Sequence, residues 1–93
     1  MSRTRWTLRA SRRLDQIGAF IGKDNPRAAA RVIARIAANN LAEQPAMGRV
    51  GRIKGTRELV LTDIPYIIPY RVVSGEIEIL TVIHAAQQWP RQL

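Results

Sequence analysis

GRVGRIKGTRELVLTDIPYIIPYR, residues 48–71, decides how this chain is read. Its first part, 48–57, carries Arg49, Arg52, Lys54 and Arg57 and no acidic residue. Its second part, 56–73, reads as two strands joined at Thr62-Asp63-Ile64-Pro65. In the second strand Ile68, Tyr70 and Val72 alternate with Ile67, Arg71 and Val73, the period of a pleated strand. Pro69 lies inside it without an amide to give to a ladder, so a bulge or an edge-facing position is expected there. A cationic, glycine-hinged loop, 46–55, therefore runs into a sheet, and the remaining elements are expected to hold that sheet in place.

Downstream, Ser74-Gly75 suits a two-residue hairpin turn. A strand over 76–84 follows, apolar on both faces in its second half, as suits a central or covered strand. Upstream, a short strand is expected around Trp6, over 3–7. Thr7 can cap a helix over 8–22, on which Leu14, Ile17 and Ile21 form a stripe with Phe20 alongside. Asn25 and Pro26 suit the cap and first position of a second helix. Its stripe runs through Ala29, Val32, Ile33, Ile36, Ala37 and Leu41, and it is expected to reach about Glu43 and stop before Pro45. The short linker makes the helices an antiparallel hairpin. The expected fold is α+β in the order βααβββ. A helical hairpin packs on one face of a small, mostly antiparallel, four-stranded sheet.

With 93 residues the chain is a single domain with one modest core. It has no cysteine, so no disulfide framework and no thiolate metal site. There is no secretory h-region and no apolar run long enough to span a membrane, so a cytoplasmic, soluble protein is expected. Fifteen basic against seven acidic residues give a net charge of +8, most of it in residues 1–47. That field attracts polyanions and acidic partners. No phosphate-binding loop, nucleophile motif or paired carboxylate spacing is present.

Taken in order, Trp6-Thr7, Asn25-Pro26 with Ala28-Ala29, Gly48-Arg49, Gly51-Arg52, Gly55-Thr56-Arg57-Glu58-Leu59, Pro65-Tyr66, Tyr70-Arg71-Val72, Ile79-Leu80-Thr81-Val82, His84 and Trp89-Pro90 resemble the RelE/ParE toxin superfamily of type II toxin–antitoxin systems. The resemblance spans nearly the whole chain. It implies a growth-arresting toxin without cofactor or metal, held in a heteromeric complex by a cognate antitoxin. One branch of the superfamily, resembling RelE, cleaves mRNA in the ribosome. The other, resembling ParE, poisons DNA gyrase and needs no catalytic residues of its own. Asn-Pro-x-Ala-Ala and Gly-Thr-Arg-Glu-Leu resemble the ParE branch. Ile67 after Tyr66 departs from the RelE pattern, and Gln87 stands where many relatives carry an arginine, which speaks against a cationic site at the tail.

Metal-free RNA cleavage needs a base, an acid and cations for the phosphate. The inventory here would be His84, Tyr66, Tyr70, Lys54, Arg49, Arg52, Arg57 and Arg71, with His84, Arg57, Arg71, Lys54 and Tyr70 as the residues a nuclease would use. A gyrase poison would instead use Arg49, Arg52, Lys54, Arg57, Arg71 and Trp89 as target contacts. The bland alternatives are open for each. His84 can be a satisfied strand-end side chain, and Arg57 and Arg71 can pair with Glu58, Glu78 or the terminal carboxylate. Trp89 can anchor the tail, and Arg9, Arg12, Arg13, Arg27, Arg31 and Arg35 can form a solvated helix face. A basic nucleic-acid-binding module without toxicity is the third reading.

Overall fold

The computed structural model describes residues 3–91 and 93. The elements are β1 (Thr4–Trp6), α1 (Leu8–Gly22), α2 (Pro26–Ala37), β2 (Arg49–Val50), β3 (Arg57–Val60), β4 (Tyr66–Val73), β5 (Glu76–Ile79) and β6 (Ile83–His84). The helices pack as a hairpin against a sheet of order β1-β5-β4-β3-β2, with β6 also paired to β4. All pairs are antiparallel except β1 with β5.

Local chemistry sets the helix starts as expected. The Thr7 hydroxyl accepts from the Ala10 amide, and Asn25 accepts from the Ala28 amide with Pro26 at the first position. Gly18 lies where the helices meet, and a Cβ there would press on the tip of the Ile33 side chain. Ala10, Ile17 and Ile36 join Leu59, Leu61, Tyr66, Ile68, Tyr70, Ile77 and Ile79 in one core between hairpin and sheet. Phe20 does not follow the α1 stripe and stands 75% exposed.

Three expectations are corrected. First, α2 ends at Ala37, not near Glu43. The Asn39 side chain donates to the Ile36 carbonyl and accepts from the Leu41 amide, offering the backbone a turn in place of the next helical one. Leu41 still reaches the core, fully buried.

Second, the 46–55 stretch is not all loop. Arg49 and Val50 form a strand opposite Glu58 and Arg57, so the sheet gains a strand at that edge.

Third, the strand expected over 76–84 is broken into β5 and β6, and the cause is Pro69. Pairing runs from Tyr70↔Ile79 to Ile67↔Ile83, so three residues oppose two. That is the count of a bulge. Leu80 N donates to Pro69 O, but Pro69 has no amide to return the bond. The Leu80 carbonyl lies within reach of the Thr7 hydroxyl instead, at 3.1 Å, a donor it shares with the Ile79 carbonyl at 2.9 Å. The bulge expected at Pro69 thus lies on its partner strand, and the α1 cap reaches the group it orphans. Ser74 (φ 51°) and Gly75 (φ 77°) form the β4–β5 turn with two positive φ values, as in a type I′ turn.

Candidate functional site

By strand alternation, Glu58 and Glu78 leave the sheet on the face away from the helices, yet each is nearly inaccessible, at 2% and 6% exposure. Register explains what they meet. Glu78 on β5 lies opposite Arg71 on β4 and Arg5 on β1, and Glu58 on β3 lies opposite Arg49 on β2. Arg71 Nε donates to Glu78 Oε1 at 2.6 Å, and Arg5 Nη2 donates to Glu78 Oε2. Arg49 donates through Nε and Nη2 to Glu58 Oε1, at 3.0 and 2.8 Å. Arg52 gives Glu58 Oε2 its backbone amide at 2.9 Å and its Nε at 3.3 Å. Burial raises the Glu58 pKa, but the Arg52 amide and the Arg49 and Arg52 side chains outweigh it and bring it below the usual value. Two Arg–Glu–Arg groups, each with net charge +1, therefore flank β4.

The arginines are ordered without being hidden. Their side chains are roughly half exposed, so guanidinium edges face solvent beside fixed carboxylates. The Arg52 guanidinium also lies 3.6 Å from the Trp89 ring centroid, which holds the tail to the 51–56 turn. Gly51 permits that turn, because a Cβ would come within 2.2 Å of Thr56 Oγ1.

Of the candidate cleavage residues, Lys54 and Arg71 line one cavity and Arg57 and Arg71 another, but His84 stands apart from both. His84 pairs with Tyr66 and Arg57 with Tyr70, four residues further along β4, or about 13 Å at strand rise. Arg57 donates to the Gly48 carbonyl. Arg57 and Arg71 leave the sheet on opposite faces and approach one another only at its end, around a cavity of about 330 Å³. The Tyr70 hydroxyl is inside, donating to Pro45 O and accepting from Gly48 N. His84 Nδ1 accepts from the Ala86 amide, and its ring meets Tyr66 edge-on with centroids 5.2 Å apart. Lys54 is exposed on the 53–56 turn and makes no ion pair among the described residues.

Sequence reasoning missed the Arg5–Glu78 link, the stacking of Arg52 on Trp89 and the part Thr7 plays under the bulge. The lone glutamates in Arg-Glu-Leu-Val and Glu-Ile-Glu-Ile were the available signal, since an acid inside an apolar strand asks for a cation opposite. Among the described residues no cluster of three acidic, histidine or cysteine side chains could hold a metal, and no helix is long and apolar enough to cross a membrane.

A helical hairpin on a bulged, mostly antiparallel sheet, with paired arginines fixed on the opposite face, defines a small basic α+β domain built to present cations. Residues 4–89 match the family described as ParE toxin of type II toxin-antitoxin system, parDE. The chain is 71% identical over 93 residues to Y4kP of Sinorhizobium fredii, named as a toxin, covering 98% of this chain and 96% of that one. It is 40% identical over 89 residues to Toxin RelE2 of Caulobacter vibrioides, covering 94% and 99%. The structure matches one titled as the chromosomal ParDE system of P. aeruginosa, with TM-score 0.79, 28% identity and coverage of 90% and 96%. It also matches the toxin–antitoxin complex RelBE2 of Mycobacterium tuberculosis, with TM-score 0.62, 27% identity and coverage of 89% and 96%. The chain belongs to the ParE toxin family of type II toxin–antitoxin systems, within the RelE/ParE superfamily.

Proposed function

We propose that this toxin arrests growth by binding DNA gyrase and trapping its cleaved-DNA complex, and that a cognate antitoxin neutralises it in a heteromeric complex. The observation that carries the reading is the dispersal of the cleavage inventory. His84 has one ring nitrogen occupied by a backbone amide and pairs four residues along β4 from Arg57, about 13 Å at strand rise, and the Tyr70 hydroxyl is bonded inside. General acid–base cleavage needs those groups within hydrogen-bond reach of one phosphate. Binding needs only ordered cations, and the outer face supplies them through Arg49, Arg52 and Arg71, with Lys54 on the turn and Trp89 under Arg52. The antitoxin is supported by the complexes in which the structural neighbours were solved.

The ribosome-dependent nuclease is the second reading, favoured by the 40% identity to a protein named Toxin RelE2. Induced expression separates the two. A gyrase poison gives a DNA-damage response and filamentation, and the purified chain with gyrase accumulates cleaved DNA. His84→Ala leaves that activity within about twofold, whereas a nuclease losing its base falls by about 10²–10⁴. Rapid translation arrest with cut mRNA, abolished by His84→Ala, overturns the gyrase reading.

A further inference from the structure

Two cavities near the start of α1 share a wall. One, of about 430 Å³, lies between the 53–56 turn and the ends of β4 and β5, and Lys54, Thr56 and Arg71 line it together with Arg9. The other, of about 540 Å³, lies between the first turns of α1 and residues 87–90, and Arg12, Arg13, Gln87 and Gln88 line it, again with Arg9. Among the described residues that line either cavity, Glu78 is the only acidic side chain, and Arg5 and Arg71 already neutralise it.

Several of these donors are free to meet a ligand. Arg71 holds Glu78 through Nε, which leaves both of its Nη groups for a bidentate contact. Arg12 and Lys54 are exposed and make no hydrogen bond or ion pair among the described residues. Arg13 is fixed, with Nε on the Val82 carbonyl and Nη2 on Gln87. Guanidinium, ammonium, amide and hydroxyl groups are the set that meets phosphate and sugar oxygens.

We propose that the two cavities form one track for the phosphate backbone of nucleic acid, entered at Lys54 and Arg71 and continued past Arg9 to Arg12 and Arg13. A backbone with an anion at every step reaches both cavities at once, whereas a peptide must place its acids at the matching spacing. The inference deepens the gyrase reading and rests on it in one respect, that the target carries DNA.

The test is binding of a short fluorescent DNA duplex to the full chain between about 50 and 200 mM salt, the range over which phosphate contacts are lost. The logarithm of the affinity falls with the logarithm of salt by about 0.9 per phosphate neutralised. Arg12→Ala with Lys54→Ala lowers that slope by about two and weakens binding roughly tenfold at the higher salt, with thermal melting unchanged. Arg27→Ala with Arg31→Ala, on the exposed part of α2, leaves both values as they were. The proposal is overturned by absence of binding at low salt, or by an equal effect of the α2 pair. It is also overturned if poly-glutamate displaces the DNA at equal charge concentration, which marks an acidic-peptide site. If DNA binding fails while gyrase still accumulates cleaved DNA, only this track falls. If DNA binding holds while gyrase is unaffected, the gyrase reading falls and the track stands.

Discussion

Glu78 and Glu58 each sit between two arginines on the same sheet face, but they are held in different ways. Glu78 is met from both sides by strand neighbours, Arg5 and Arg71, through side chains alone. Glu58 takes a strand neighbour, Arg49, on one carboxylate oxygen, and on the other a turn that folds back to give it the Arg52 amide as well as the Arg52 side chain. The first group is a consequence of register. The second closes a piece of backbone, the 51–56 turn, around a carboxylate. The difference teaches that one arginine pair presents charge on a frame that exists without it, whereas the other helps to build the frame.

The sharpest way to break that comparison is to remove Glu58. Glu58→Ala leaves a backbone amide and two guanidiniums without their acceptor, the costly side of a buried pair. Because the arginines are about half exposed, the expected loss is about 2–4 kcal/mol, read as a shift of the urea midpoint at constant slope. A loss under about 1 kcal/mol would show that the turn closes without Glu58 and that the two groups are alike.

The same contrast has a pH dependence. The folded Glu58 pKa lies below its unfolded value, so the folded state favours the charged form. The stability this contributes is fully present above the unfolded value of about 4.3 and is lost as pH falls through the lower folded value. Asp63 is also shifted down, chiefly by the hydrogen bond from Arg35, and adds to the slope. Glu58→Gln therefore flattens the fall in stability below about pH 4.3 without abolishing it. An acid limb identical to that of the unmodified chain would place the linkage elsewhere.

These arrangements were legible in the sequence to unequal degrees. The helices, their caps, the β4 limits and the Ser74-Gly75 turn depend on neighbours within a few residues, and their signals are local: Thr7, Asn25-Pro26, the apolar stripes, and two turn-forming residues between alternating runs. The end of α2 depends on Asn39 choosing a turn over a helix in which high-propensity alanines precede it, and periodicity alone does not reveal that choice. The break after Ile79 depends on Pro69, ten residues away, and on Thr7, more than seventy away. The basic character of 48–57 was plain, but which arginine faces which carboxylate is fixed by strand register. An acid inside an apolar strand asks for a cation, but that the parallel contact of β1 with β5 brings Arg5 to Glu78 is fixed by the fold.

Removing Glu78 sharpens the comparison from the other side. In Glu78→Ala the arginines turn to water from positions already 62% and 51% exposed, and no backbone group loses a partner. The expected loss is about 1 kcal/mol. A loss equal to that of Glu58→Ala in the same urea titration would erase the distinction between presenting charge and building backbone.

The smallest effect concerns the one arginine that serves a third group. Arg52 spans Glu58 and Trp89, so its stacking energy is expected to depend on Glu58 holding the guanidinium in place. Trp89→Leu keeps apolar bulk at the tail and removes the aromatic face, at a cost of about 0.5–1 kcal/mol. A double-mutant cycle with Arg52→Ala should recover most of that as coupling, while a cycle with Arg5→Ala, in the other group, should be additive within about 0.5 kcal/mol. Repeating the first cycle in a Glu58→Gln background decides whether the carboxylate orients the stack. If it does, the coupling shrinks, since a neutral amide accepts more weakly than a carboxylate. If the coupling is unchanged, Trp89 finds Arg52 unaided, and the tail is held by the turn's shape and not by its buried charge.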